Sequence, residues 1–281
     1  MPNELDAAGQ YFEVTKQVPN LVRYRVEDGV AVLTLNDPPA NTYSYEMMRL
    51  LEERILAARM DPSVQVIVIT GAGEKFFCAG ANINMLANAD PSYKYYFCLH
   101  ANETLCRLEQ TPKLVIGAIN GHCVGGGLEV ALAADIRLAR RGAGKMGLPE
   151  VSLGVLPGTG GTQRLARLIG KSRAIELMAT GQLFDFERGA ELGIVNQIYD
   201  AVSVEDFQRQ VLAYAAQFTT PGKASKAVGH IKRSVQSGAE VSLENGLALE
   251  RELQQQLFQS EDAREGIDAY VNKRKPEFKG R

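Results

Sequence analysis

Two short runs, Val64 to Thr70 (VQVIVIT) and Leu114 to Ile119 (LVIGAI), constrain the fold of this 281-residue chain more than any other feature. The first is β-branched on both faces and the second is apolar throughout. Such strands need both faces covered, which a parallel sheet between helices provides. A helix is predicted between them, from about Ser92 to Leu108, with Pro112 as the breaker before the second strand. Upstream, Val22 to Val26 and Val30 to Leu35 read as strands around the turn Glu27-Asp28-Gly29. Pro38-Pro39 closes that pair, and Ser44 is placed to cap a helix through about Met60 with Met47, Leu50, Leu51 and Ile55 on one face. A helix from about Gly126 and a short strand near Ile136 continue the alternation, which argues for α/β layers.

From Gly161 the pattern becomes short helical segments closed by glycines, then a last strand near Ile194 to Ile198. Only helical periodicity follows: Val204 to Phe218, Pro221 to Gln236, Val241 to Phe258 and Glu261 to Arg274. Three regions are therefore expected. Residues 1–20 are a polar, aperiodic tail or edge strand, 21–200 an α/β core, and 201–281 a helical C-terminal region. The last region carries narrow apolar faces (Leu243, Leu247, Leu253 and Leu257, then Ile267, Tyr270 and Val271), too thin for a core of their own. Faces of this kind pack on the parent domain or on a second copy, so a homo-oligomer is expected.

A formal net charge of −2 argues against a surface built for nucleic acid or anionic membrane. The longest apolar region, Leu114 to Ile136, contains Asn120, His122, Glu129 and Asp135, which argues against a membrane span. The first residues lack a cationic start and an apolar signal core, and the four cysteines show neither CxxC pairing nor zinc spacing. A cytoplasmic setting with reduced thiols is the expectation.

The chemistry concentrates between Leu114 and Gly161. Gly125-Gly126-Gly127 is followed by Glu129 inside a segment apolar on every side of a helical wheel, which predicts a buried helix carrying a buried acid. Such a glutamate is either a structural ion-pair partner or a working group. The glycines favour work, because they leave backbone N–H groups free and let a ligand approach. Glu150 follows in GLPE, before a β-like VSLGV run that ends in Pro157-Gly158-Thr159-Gly160-Gly161. Alone it reads as a solvated loop acid. With Glu129 it becomes half of a two-carboxylate acid/base pair, provided the two environments push their pKa values apart. The segment Phe76 to Ile83, FFCAGANI, is either a plain tight turn or the source of a second free N–H. The amides of Ala81 and Gly126, from separate loops, would then form an oxyanion hole for an enolate. There is no G-x-G-x-x-G spacing in GHCVGGG, no P-loop and no G-x-S-x-G elbow. His100, His122 and His230 are scattered, and only His122 falls in the glycine-rich loop.

The set FFCAGANI, INGHCVGGGLEVALAADIRLA, MGLPEVSLGVLPGTGGTQRLARLIG and EGIDAYVNKRKPEFKGR, in that order, resembles the crotonase superfamily, closest to enoyl-CoA hydratases, over residues 22–281. The resemblance implies a spiral of ββα units, a helical trimerisation region, and a homotrimer or a hexamer built as a dimer of trimers. It implies a coenzyme A thioester as substrate, with no separate cofactor and no metal. Glu129 would draw a proton from water, Glu150 would protonate the α-carbon, and the N–H of Gly158 would help position the water. The reaction implied is syn addition of water to a 2-enoyl-CoA, giving a 3-hydroxyacyl-CoA. An enoyl-CoA isomerase, a hydratase or C–C bond hydrolase of the same fold acting on a cyclic acyl-CoA, and a non-catalytic CoA-binding protein are the alternatives. For the coenzyme and acyl chain it points to Ala40, Ala79, Gly80, Asn82 and Ile83, with Lys273 for phosphates across a subunit interface. Two positions depart from the family pattern: Asn82 stands where an aspartate is usual, and Glu129 and Glu150 are one residue further apart, the extra residue falling in RRGAGK.

Overall fold

The computed structural model describes residues 20–281. The predicted tail, apart from Asn20, lies outside the described residues. Strands β1 (Val22–Glu27) and β2 (Val30–Leu35) form the antiparallel hairpin. β2 then pairs in parallel with β3 (Val66–Gly71), which continues through β5 (Leu114–Ile119), β7 (Ile136–Arg140) and β9 (Gln197–Tyr199). Every residue of β3 and β5 is buried, as apolarity on both faces requires.

A second, wholly parallel sheet is built from β4 (Phe76–Cys78), β6 (His122–Val124) and β8 (Met146–Gly147). The chain visits the large sheet, then the small one, then turns into helix, three times in succession: β3–β4, β5–β6 and β7–β8. That repetition is the ββα spiral. Helices α1 (Tyr45–Met60), α2 (Ile83–Ala87), α3 (Pro91–Glu109) and α4 (Gly126–Leu132) fall between these strands. Ser44 caps α1 through its side-chain oxygen, as its position before Met47 and Leu50 predicts. Helices α5 (Gly161–Ile169), α6 (Lys171–Thr180) and α7 (Phe186–Glu191) lead to β9.

The main core lies between the two sheets and their helices, around Leu33, Leu51, Ile67, Ile69, Phe77, Phe97 and Leu128. A second cluster covers the other face of the large sheet, where Phe207, Val211 and Ala215 of α8 (Val204–Ala216) pack on Val32, Val66 and Ile116. The first helix of the C-terminal region is thus part of the core layers. Helices α9 (Ser225–Gly238), α10 (Leu243–Phe258) and α11 (Glu261–Val271) follow. Lys232 ties α9 to the core through a buried ion pair with Asp135 at 2.9 Å.

Two sequence expectations change. The final strand begins at Gln197, because Ile194 and Val195 are buried in the turn before it. The VSLGV run is not extended: Glu150–Leu153 is a 3-10 turn ended by Gly154 in the left-handed region. The small sheet leaves no edge for a further strand there, since β8 already carries β6 on one side and a bridge to Phe184 on the other. Val151, Leu153, Val155 and Leu156 consequently point outward. Among the described residues no helix is long and apolar enough to cross a membrane.

Candidate active site

All three strands of the small sheet run in one direction, so their carboxyl ends meet at one place. The loop Ala79-Gly80-Ala81 leaves β4, Gly125-Gly126 leaves β6, and Leu148-Pro149-Glu150 leaves β8. The carboxyl edge of a parallel sheet is where α/β folds commonly place ligands. Main-chain contacts lock these loops together. Gly125 N–H donates to the Gly147 carbonyl at 2.8 Å, and a Cβ on Gly80 would lie 3.0 Å from the Gly126 nitrogen. Ala81 and Gly126 are thus neighbours across two loops. Neither amide has a protein acceptor among the described residues. Gly126 opens α4, where the first amides of a helix lack intrahelical partners.

Each glycine of the triplet makes room for a different atom. A Cβ on Gly125 would sit 2.9 Å from Glu150 Oε1, one on Gly126 2.0 Å from the Tyr43 hydroxyl, and one on Gly127 2.0 Å from the Cys78 carbonyl. Gly125 also has a φ of 57°, where a side chain is strained.

Glu129 lies one turn into α4 and is only 2% exposed. Its carboxylate accepts three hydrogen bonds. Oε1 takes the N–H groups of Thr159 (2.8 Å) and Gly161 (2.7 Å), and Oε2 takes the Thr159 hydroxyl. These donors belong to the turn that leads into α5. Glu150 has the opposite surroundings. Its Oε1 rests against Gly125, and its Oε2 is buried with no hydrogen-bond partner among the described residues. Burial chiefly pushes this carboxyl up to about 7; the charge of Glu129 adds to the rise, while a backbone hydrogen bond and Lys94 pull against it. One acid is supplied with donors and the other starved of them. That arrangement suits a proton acceptor and a proton donor acting together.

The structure brings Glu129, Glu150, Ala81 and Gly126 to the carboxyl end of the small sheet. Gly158 lies in the same loop as the Glu129 donors, its N–H without a protein acceptor among the described residues and its carbonyl accepting from Asn102 at 3.4 Å. Ala40 and Ala79 are joined directly, Ala79 N–H donating to the Ala40 carbonyl at 3.0 Å. Asn82 caps α2 by accepting from Met85 N–H at 3.1 Å. Asn and Asp serve that task equally, which accounts for the amide there. Ile83 is exposed. Lys273 stands exposed at the end of α11, whose main packing partner is α10 rather than either sheet. His122 accepts from Lys145 N–H and lies tilted against the Phe76 ring, a structural role.

The sequence alone assigns no role in the site to Tyr43, Thr159 or Cys98. Tyr43 is buried, its hydroxyl 3.1 Å from Thr159 Oγ1, and burial followed by the charge of Glu129 raises its phenol well above the ordinary value. Cys98 Sγ lies 3.1 Å from where a Gly158 Cβ would be. The one signal for Tyr43 was a bulky aromatic between the Pro38-Pro39 turn and the Ser44 cap. Among the described residues no group of three or more His, Cys, Asp or Glu side chains could hold a metal ion.

Comparison with known proteins gives the family. The enoyl-CoA hydratase/isomerase family model matches residues 25–281. A probable enoyl-CoA hydratase of Bacillus subtilis strain 168 is 37% identical over 93% of this chain and 99% of its own length. The 2,3-dehydroadipyl-CoA hydratase of Escherichia coli K12 is 36% identical over 90% of this chain and 96% of its own. The crystal structure of an enoyl-CoA hydratase from Geobacillus kaustophilus HTA426 superposes with a TM-score of 0.89 at 43% identity, covering 95% of this chain and 98% of that one. The chain belongs to the enoyl-CoA hydratase/isomerase family of the crotonase superfamily.

Proposed function

We propose that this protein is an enoyl-CoA hydratase that adds water across the double bond of a 2-enoyl-CoA to give a 3-hydroxyacyl-CoA. The observation that carries the reading is the pair of glutamates in opposite surroundings at the carboxyl end of the small sheet. Moving a double bond needs one group that carries a proton from carbon to carbon. Hydration needs two, one to activate water and one to protonate carbon, and both are present. The N–H groups of Ala81 and Gly126 receive the thioester oxygen as it gains charge, an effect typically worth roughly 10²–10³ in rate per donor. Glu129 takes a proton from water, held also by the Gly158 N–H, as the water oxygen bonds to the β-carbon. Glu150 gives its proton to the α-carbon as the enolate collapses. One water is consumed, and the proton gained by Glu129 returns to Glu150 before the next turnover. The addition is read as syn.

The thioester carbonyl is the electron sink, so the reaction calls for no metal or redox group, and coenzyme A enters as part of the substrate. The Ala40 and Ala79 to Gly80 segments would receive the pantetheine, Asn82 and Ile83 would border the acyl chain, and Lys273 would meet phosphates from a neighbouring subunit. The exposed Leu243, Tyr270 and Val271 on α10 and α11 suit a homotrimer or a hexamer of this chain. The relatives named as hydratases support the class of reaction. Crotonyl-CoA incubated with the protein in ¹⁸O-labelled water is expected to yield 3-hydroxybutyryl-CoA carrying the label. A double-bond shift without label would sink the proposal in favour of an isomerase.

A further inference from the structure

Tyr43 touches all three parts of the site. Its main chain brackets Ala81: Tyr43 N–H donates to the Gly80 carbonyl at 2.9 Å, and its carbonyl accepts from Asn82 N–H at 3.0 Å. Its phenol lies against Gly126 so closely that a single added carbon there would overlap the hydroxyl. That hydroxyl reaches Thr159, whose own hydroxyl bonds Glu129. The ring is held in place by stacking on Phe97, with centroids 6.0 Å apart and planes inclined by 22°.

Hydrogen counting sets the direction of this chain. The threonine hydroxyl has one hydrogen, and Glu129 as a carboxylate can only accept. Thr159 therefore spends its hydrogen on Glu129, and Tyr43 must be the donor to Thr159. The order Tyr43 O–H to Thr159 O–H to Glu129 Oε2 runs one way, and successive bonds of this kind polarise and strengthen one another. A buried tyrosine needs some partner for its hydroxyl, and any carbonyl would satisfy it. Here the partner is the one residue that gives Glu129 both a backbone and a side-chain donor. The titratable groups facing Tyr43 are Glu129, Cys78 and Cys98.

We propose that Tyr43 is a positioning residue of this site, whose hydroxyl, through Thr159, holds the Glu129 carboxylate in one orientation beside the Gly126 amide. Its kinetic consequence rests on the hydratase reading. Its structural consequence does not.

The test uses Tyr43→Phe, which keeps the ring stack, together with Thr159→Val, Thr159→Ser and the double variant Tyr43→Phe/Thr159→Val. Crotonyl-CoA hydration is measured alongside hydrogen–deuterium exchange of the segment from Leu156 to Gly161. Tyr43→Phe and Thr159→Val are each expected to lower kcat about tenfold with KM changed less than about twofold, the size of one lost hydrogen bond expressed only in the positioned state. The double variant should be no slower than Thr159→Val, because a broken chain cannot be broken again. Thr159→Ser should recover most of the rate. Exchange at residues 156–161 should quicken in Tyr43→Phe and Thr159→Val, since the Thr159 and Gly161 amides are protected by a Glu129 that is no longer held. Multiplying losses in the double variant, a lower Tm with unchanged kcat, or no recovery by serine would overturn the proposal. If the wild-type protein hydrates no enoyl-CoA, the hydratase reading falls, and the exchange measurement alone decides: unchanged exchange in both single variants rejects the relay.

Discussion

Glu129 and Glu150 are the same residue type at one end of the small sheet, yet the chain around them gives them opposite surroundings. Glu129 sits on a helix and faces the loop before α5, whose two amides and one hydroxyl converge on its carboxylate. Glu150 sits in a single 3-10 turn with one oxygen against Gly125 and the other buried without a partner among the described residues. A carboxylate is held as an anion by donors and driven toward its neutral form by their absence. The contrast teaches that two identical side chains are differentiated by the backbone around each of them, by where N–H groups point rather than by the residue itself.

Removing either carboxyl is the largest way to break the comparison. Glu150→Gln and Glu129→Gln are each expected to lower kcat by about 10³ or more. Their stabilities should diverge. The neutral amide suits the donor-poor site of Glu150, so Glu150→Gln should unfold no earlier than the wild type at neutral pH. At Glu129 the amide replaces a carboxylate that accepts three hydrogen bonds, and its NH₂ group must face a donor, a mismatch worth about 1–3 kcal/mol. Thermal unfolding of the two variants at one pH checks this. Equal Tm losses would mean that the two surroundings do not differ as the hydrogen bonds indicate.

Adjacent glycines separate the two acids more finely. Gly126→Ala drives a Cβ into the Tyr43 hydroxyl, and so disturbs the Glu129 side and the oxyanion amide together. A fall in kcat of about 10² is expected, comparable to losing one oxyanion donor. Gly125→Ala meets only the Glu150 carboxyl, at 2.9 Å, besides the strain of its positive φ. Its smaller kcat loss should come with an altered pH profile, whereas Gly126→Ala should keep the wild-type profile at lower amplitude. A shared profile would show that the two glycines do not serve separate acids.

How much of this was legible in the sequence follows from length and partner distance. β3 and β5 announce themselves because six residues buried on both faces leave no charged position. The small sheet that gathers the site is built from strands of two or three residues, too short for any periodicity to register. Glu129 was readable as an acid in a helix apolar all round. Tyr43 was not, because its meaning lies in Thr159, 116 residues away. VSLGV shows the converse error: β-branched residues suggest a strand, but without a free sheet edge the segment turns and exposes them.

The smallest effect is the most discriminating, because it adjusts one acid without touching either. Lys94, half-buried on α3 with its ammonium 5.5 Å from the centre of the Phe97 ring, pulls the Glu150 carboxyl down against the larger effect of burial. Lys94→Met removes that pull, so Glu150 should hold its proton to higher pH than about 7. On the proposed hydratase reading Glu150 carries the proton that goes to carbon, so kcat/KM is expected to fall as pH rises through its value, and in the variant that fall should begin later. The sign for stability runs the same way. A carboxyl raised on folding contributes stability that is fully present below its unfolded value near 4.5 and is lost as pH rises through about 7, so the upper end of this window also moves up in Lys94→Met. A kcat/KM profile from about pH 5 to about pH 9 checks both the site and the sign. A limb that stays in place would mean that Lys94 is screened from Glu150, and a limb that moves down would mean that the group controlling it is not a carboxyl that must be protonated.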